Sequence, residues 1–516
     1  MFLRVLRKEK HKMKRNYKLK LSHFVWLILM ISITLGACQK NFLDRQTQGD
    51  YNQDNYPYPG GAGPYDQFIN AAYATLRSYD VTTFPFIGAT SIRGDDADKG
   101  STPADGATQL EMDNFTLTPA NGLVSGLWNG HINLVSNCNF VLDRVKNDPN
   151  PNTPENLKID AQAQARFLRG YANFMLVRLF GGVPILDTIT TGTAGAANVP
   201  RSTPSQVYAF IEADLQFAAA NLSPKSAYSP QFIGRITSGA AHGLLAKVYL
   251  TQGKWAQAKA EADIVMKSGE YDLSVNYNTI FEETGENSRE SLFEVQATST
   301  AAVPTNFGSQ YSQVQGVRGT GDWNLGWGFN VPSPALDAAF EPNDPRKTRS
   351  ILYSGGTSLY GEAVPAGLPN PRYNNKVSSP RAKQNLINSR SAWWNNVRLL
   401  RYADVVLMFA EASNEIGGTQ NTTEALAALN SIRERARRGA PAGTLPNIVT
   451  TDQSVLRDAI RQERRVELAM EHDRFFDLVR WGTVATVMQN AGKAFVPGKH
   501  ELLPIPQTQI DLSRGI

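Results

Sequence analysis

Apolar positions recur at three- and four-residue steps along much of the chain, and each such stretch predicts an amphipathic helix. Residues 160–180, DAQAQARFLRGYANFMLVRLF, set Phe167, Tyr171, Phe174 and Arg178 close to one face. Residues 204–222 set Val207, Phe210, Ile211, Leu215 and Ala218 on another, with Thr203 as cap and Pro204 in the first turn. Residues 397–416 and 423–437 predict a further pair split by GGTQN, and 452–480 reads as one long last helix. The periodicity stops in 44–65, 80–125 and 276–395, which are rich in Gly, Pro, Asn, Asp and Thr and carry scattered aromatics.

Within 240–270 the helical signal becomes a repeat. Ala246, Tyr249, Gly253, Trp255, Ala258 and Ala262 fall at the offsets of a tetratricopeptide-like hairpin. Small side chains at 246, 258 and 262 let two antiparallel helices approach, Gly253 turns the chain, and Tyr249 with Trp255 fills the wedge. One hairpin cannot bury its own apolar face, so neighbouring helices must stack on it. The fold expected is mostly α, a scaffold of helix pairs with a large loop-rich insertion.

The N-terminus changes the electrostatic picture. Residues 1–37 carry nine Lys/Arg and one Glu, followed by the 11-residue apolar run 24–34. That run is shorter than the roughly 20 residues a membrane span needs, and it fits the short core of a secretory signal. Either Met1 or Met13 serves as its start. Leu35-Gly36-Ala37-Cys38 then resembles a lipobox, in which Cys38 is the lipid anchor: its thiol receives a diacylglyceryl group and its freed amine a further acyl chain. Subtracting the segment's +8 from the whole chain's +5 leaves −3 for the mature protein. The basic pI of 8.9 therefore gives no case for nucleic-acid binding. With Cys38 acylated, Cys138 has no disulfide partner, and its apolar neighbours predict a buried small side chain.

Charged residues crowd the last helices. Arg401, Asp404, Glu411 and Glu415 share a stripe, and 463–480 alternates Glu463, Arg464, Arg465, Glu467, Glu471, Asp473, Arg474, Asp477 and Arg480, with Glu471/Arg474 and Asp477/Arg480 spaced to pair. Glycoside hydrolysis would need two carboxyls flanking a sugar-sized cleft, one of raised pKa. Arginines beside each acid act in the opposite sense, so the expectation is structural ion pairing and no catalytic residue. Four histidines follow Cys38, none at metal-ligand spacing, and GDDADKG lacks the order of an EF-hand, so neither metal nor cofactor is expected.

Six motifs then carry a family resemblance: RFLRGYANFMLVRLFGGVPI, RITSGAAHGLLAKVYLTQGKW, LRYADVVLMFAEASNE, ALNSIRERAR, ERRVELAMEHDRFFDLVRWG and LLPIPQTQID. With the lipobox they resemble, in order from Cys38 to Asp511, the SusD/RagB family of outer-membrane nutrient-binding lipoproteins. The resemblance implies a cell-surface, lipid-anchored protein that captures oligosaccharides and hands them to a SusC-like TonB-dependent transporter. It implies segments at 1–37 (signal), 38–275 (helical), 276–395 (variable ligand face) and 396–516 (helical). Peptide cargo on the same scaffold is the alternative, and a surface hydrolase a more distant one.

A pyranose lays its C–H face on an aromatic ring and needs polar groups at the rim. Two loops offer that composition. One brings together Tyr311, Arg318, Asp322, Trp323 and Asn324, with Trp323 expected to be exposed. The other brings Arg93, Asp95 and Asp96 beside Phe84 and Phe86. Trp327, Trp393 and Trp394 are expected to pack.

Overall fold

The computed structural model describes residues 63–513 except 190–198, 301, 303–306, 388 and 390; the signal segment and Cys38 lie outside the described residues. The long helices are α1 (Asp66–Leu76), α2 (Gly122–Lys146), α3 (Glu155–Phe180), α4 (Pro204–Asn221), α5 (Ser238–Thr251), α6 (Trp255–Lys267), α7 (Tyr402–Ile416), α8 (Thr419–Ala436), α9 (Gln453–Glu467) and α10 (Arg474–Arg480). Each of α2 to α8 packs on the one before it, and α9 folds back on α7 and α8. The row continues from α6 to α7 although 134 residues of chain separate Lys267 from Tyr402. Residues 268–401 therefore leave the helical frame and return to it, as the insertion predicted from composition requires.

Local chemistry explains the helices. Thr203 Oγ1 accepts from Gln206 N at 3.3 Å while Gln206 Oε1 accepts from Thr203 N at 2.9 Å, a reciprocal cap on α4. In the α5–α6 hairpin Ala246, Ala258 and Ala262 are fully buried, and Gly253 turns at φ +69°, a left-handed conformation costly for other residues. Cys138 is buried and free, and burial pushes its thiol far up, as its apolar neighbours implied.

Three elements differ from the periodicity. Residues 397–401 are not helical: they form β6 (Val397–Arg401), antiparallel to β2 (Ser291–Val295) of the insertion. The last helix breaks after Glu467, whose carbonyl accepts from Tyr277 Oη at 3.0 Å and Lys376 Nζ at 3.2 Å instead of a helical amide; Met470 and His472 turn at φ +64° and +73°. Finally, the turn-rich 80–125 contains helical turns at Tyr79–Thr82, Phe84–Ile87 and Ala107–Asp113. Two more antiparallel pairs tie the insertion down: β1 (Ala97–Gly100) with β3 (Phe329–Pro332), and β4 (Ile351–Tyr353) with β5 (Arg372–Asn374).

Candidate ligand-binding site

The charged motifs meet in the interior. Arg401 spans Glu290 at 2.8 Å, Glu467 at 3.2 Å and Glu471 at 2.6 Å; Arg346 holds Asp344, Glu463 and Glu467; Arg435 and Lys376 close the cluster on Glu467 and Glu471. A second knot joins Arg464 and Lys247 to Asp404 and to Asp477 or Asp473. Burial by itself would raise Glu467 and Asp404, but the surrounding Arg and Lys cations outweigh it and hold both carboxyls well below the usual range. These acids stay ionised and paired, which suits staples between α7, α9 and the insertion rather than proton donors. Asp477 and Arg480 pair along the helix as their spacing predicts; Glu471 turns instead to Arg401 and Lys376, because the chain breaks before Arg474.

The acidic-loop candidates belong to the same lattice. Asp95 meets Arg474 at 2.7 Å and Arg465 at 3.0 Å, and Asp96 meets Arg465 at 2.5 Å, all with both acids buried. Arg93 is buried too, its guanidinium carbon 4.2 Å from the Phe475 ring and Nη2 donating to His500 O at 2.6 Å; desolvation holds it down to about 9. These three residues, expected at a ligand face, are structural. The expectation failed because their partners lie hundreds of positions away in sequence.

The second loop divides. Tyr311 turns inward, its hydroxyl 2.5 Å from His472 Nε2. Arg318 pairs with Asp105 at 2.5 Å and Ser101 at 2.8 Å. Asp322 is exposed and Asn324 half-buried. Trp323 is not the exposed ring expected: it is 7 % exposed, packed with Val317, Val331, Leu352, Val364 and Tyr373, with Arg381 5.0 Å over its face. Trp393 and Trp394 stack at 5.1 Å in the interior, as expected. The structure joins Trp323 and Asp322 through Arg381, with Asn324 next in the chain, while Tyr311, Arg93, Asp95 and Asp96 make their contacts elsewhere.

A different surface carries unburied rings. Phe307 is 52 % exposed and Tyr79 38 %. Arg77, two residues before Tyr79, lies 5.9 Å over the Phe307 ring and donates to Gln296 O at 3.4 Å. Tyr79 touches Phe84, which meets half-buried Trp327 edge-on at 5.8 Å, so aromatic surface runs inward from the rim. Asp80 sits beside them with no ion-pair partner among the described residues, and burial raises its carboxyl above the usual range. Gly126 and Gly130 of α2 make room for it: a Cβ on Gly126 would stand 2.6 Å from Asp80 Oδ1. Arg77 over the exposed Phe307 ring, with Tyr79 and Asp80 two and three residues further along the chain, supplies rings, a cation and an acceptor of the kind ring-shaped polyol recognition uses. Sequence reasoning missed Tyr79 and Phe307. The available signal was an aromatic residue next to polar and Gly neighbours where helical period stops, RSYD and TNFGSQ.

The structure is a frame of stacked helices that carries a long insertion and exposed aromatic residues. Two family models match: the SusD family over residues 289–516, and "Starch-binding associating with outer membrane" over residues 68–250. Both halves of the chain are thus similar to SusD-type proteins. Among its relatives, SusD-like protein P2 of Formosa agariphila is 29 % identical over 463 residues, 86 % of this chain and 89 % of that one. A SusD-like protein of Bacteroides ovatus is 27 % identical over 488 residues, 88 % of this chain and 82 % of the other. Among solved structures, a laminarin-binding SusD-like protein superposes with TM-score 0.73 at 28 % identity, over 87 % of this chain and 97 % of that one. Surface glycan-binding protein A of Bacteroides thetaiotaomicron, in complex with laminarihexaose, superposes with TM-score 0.72 at 23 % identity, over the same shares; that likeness speaks to fold.

Proposed function

We propose that this protein captures oligosaccharides at the cell surface through the face formed by Arg77, Tyr79, Asp80 and Phe307, without catalysing a reaction on them. The observation that carries this is the exposed Phe307 ring capped by Arg77, on a frame 28 % identical to a laminarin-binding relative. Ion pairing of the α9 and α10 carboxylates supports a binding role over a hydrolytic one. Isothermal titration of the full chain against laminarihexaose, maltohexaose and a peptide library tests it. Phe307→Ala should weaken oligosaccharide binding tenfold or more, about 1.4 kcal/mol, with an unchanged melting temperature. Binding of peptides alone, unaltered glycan binding in the variant, or release of new reducing ends would each overturn the proposal.

Cys38 is the proposed lipid anchor, on the outer membrane and beside a SusC-like TonB-dependent transporter to which the glycan passes. Its support is the lipobox sequence and the family's outer-membrane association; no helix among the described residues is long and apolar enough to span a membrane. Cys38→Ala should move the protein from the membrane to the soluble fraction on cell fractionation. Retention in the membrane would refute the anchor.

A further inference from the structure

Away from the Phe307 face, the insertion encloses a second aromatic-lined space. Trp323, Tyr360 and Trp393 line it together with Glu362, Asn374 and Gln384. As it stands the cavity measures about 20 Å³, room for roughly one water molecule and far too small for a sugar ring. Two buried polar atoms among its lining residues have no hydrogen-bond partner among the described residues: the Trp393 indole Nε1–H, on a residue 3 % exposed, and Gln384 Oε1. A buried donor and a buried acceptor left unmade are costly, and they are tolerated where a ligand supplies the partners.

One short segment, the helix Arg381–Ile387, reaches the space through Gln384 and lies over the neighbouring indole rings. Its contacts are of the kind a ligand makes. Arg381 lies 5.0 Å over the Trp323 ring and Lys383 5.0 Å over the Trp394 ring, so strap cations occupy the indole faces on which a pyranose would stack. Arg381 also occupies Glu362, through its backbone N–H at 3.1 Å and Nε at 3.4 Å, and approaches Asp322 at 3.8 Å. Lys383 pairs with Glu283 across a partly exposed gap. Ile387 seats against Trp393 and Trp394, while Leu386 is 66 % exposed. The strap is thus held by partly exposed ion pairs, two cation–ring contacts, the Gln384 Nε2 hydrogen bond to Ser379 O at 2.9 Å and one apolar anchor. Lifting it would uncover two indole faces and free the Glu362 carboxylate.

We propose that Arg381–Ile387 is a displaceable strap over a second glycan subsite, in which a neutral pyranose unit stacks on Trp323 and takes its hydroxyl partners from Glu362 and the Trp393 indole. The inference rests on the glycan-binding function proposed above and adds a gated site to it. Sugar and strap compete for the same ring faces, so weakening the strap must strengthen the site.

The test compares the full chain, the Arg381→Ala/Lys383→Ala double variant and Phe307→Ala, each titrated with laminarihexaose and maltohexaose by calorimetry and tryptophan fluorescence. Both strap residues are partly exposed, and circular dichroism checks that the double variant folds. The double variant should bind a second equivalent, or bind at least tenfold more tightly, with a change in tryptophan emission that Phe307→Ala leaves in place. Adding Glu362→Ala to the double variant should cancel the gain. If the full chain binds through the Phe307 face while the double variant matches it in affinity, stoichiometry and emission, the subsite is refuted and the glycan face stands. If no variant binds either oligosaccharide, the glycan function itself fails and the subsite with it.

Discussion

Asp80 is the residue on which the proposed face depends for direction. A sugar ring can stack on Tyr79 or Phe307 in many orientations, whereas an ionised carboxylate accepting two hydroxyls selects one. Hydrogen bonds to a charged acceptor contribute about 1.5–3 kcal/mol, so Asp80→Asn should weaken glycan affinity about tenfold or more at pH 7. Because burial raises the Asp80 carboxyl, the acceptor begins to protonate on acidification earlier than an ordinary aspartate would. Affinity in the full chain should therefore fall between pH 7 and pH 4.5, while the Asp80→Asn profile stays flat over the same range. Calorimetry at the two pH values decides this, and parallel profiles would remove Asp80 from the site. Asp95 and Asp96 show why such a residue could not be chosen from sequence. Two acids in a Gly-rich run look solvated until Arg465 and Arg474 arrive from 370 and 379 positions along the chain. Cys138 was legible because the apolar period of its own helix sets it on the buried face.

Elements divide the same way, by whether their cause is local. The α4 cap is written in Thr203-Pro204-Ser205-Gln206, and the α5–α6 hairpin in small and aromatic residues a few positions apart. Both appear where the pattern put them. β6 has the composition of a helix start, yet its backbone pairs with β2 and Tyr402 N–H donates to Glu290 O at 2.8 Å, so a distant strand edge overrides the period. The break between α9 and α10 has a similar origin: Tyr277 and Lys376, both from the insertion, take the Glu467 carbonyl that would have continued the helix. The same contact explains the inward turn of Tyr311, since the break delivers His472 to its hydroxyl. Insertion and frame are thus fitted to each other at the sites where helical periodicity failed as a guide.

At the scale of the whole molecule, groups whose charge depends on burial lie both inside the frame and in the insertion, and this gives the stability of the chain a pH signature. His131 within α2 and His472 between α9 and α10 are both held down to about 4 by desolvation. The unfolded chain protonates each near 6.5 and the folded chain does not, so their stabilisation is complete above that pH and lost as pH falls toward 4. The ceiling is about 3 kcal/mol per histidine. Glu286 acts with the opposite sign. Burial pushes it up to about 7 while its Oε1 accepts Asn396 N–H at 2.7 Å, so its contribution is present below the usual glutamate pKa and lost as pH rises toward 7. Across pH 5–7 the histidines and Glu286 oppose each other, and the full chain should show a shallow profile. Glu286→Gln keeps an acceptor for Asn396 and removes the opposing titration. Its unfolding free energy should then fall more steeply than that of the full chain between pH 7 and pH 5, by about 2 kcal/mol. Conversely, His472→Asn, which tolerates the left-handed backbone, should flatten the fall. Denaturant unfolding of the three proteins at pH 5, 6 and 7 measures both changes. Superimposable slopes would mean that buried charge at these positions does not govern the stability of the chain.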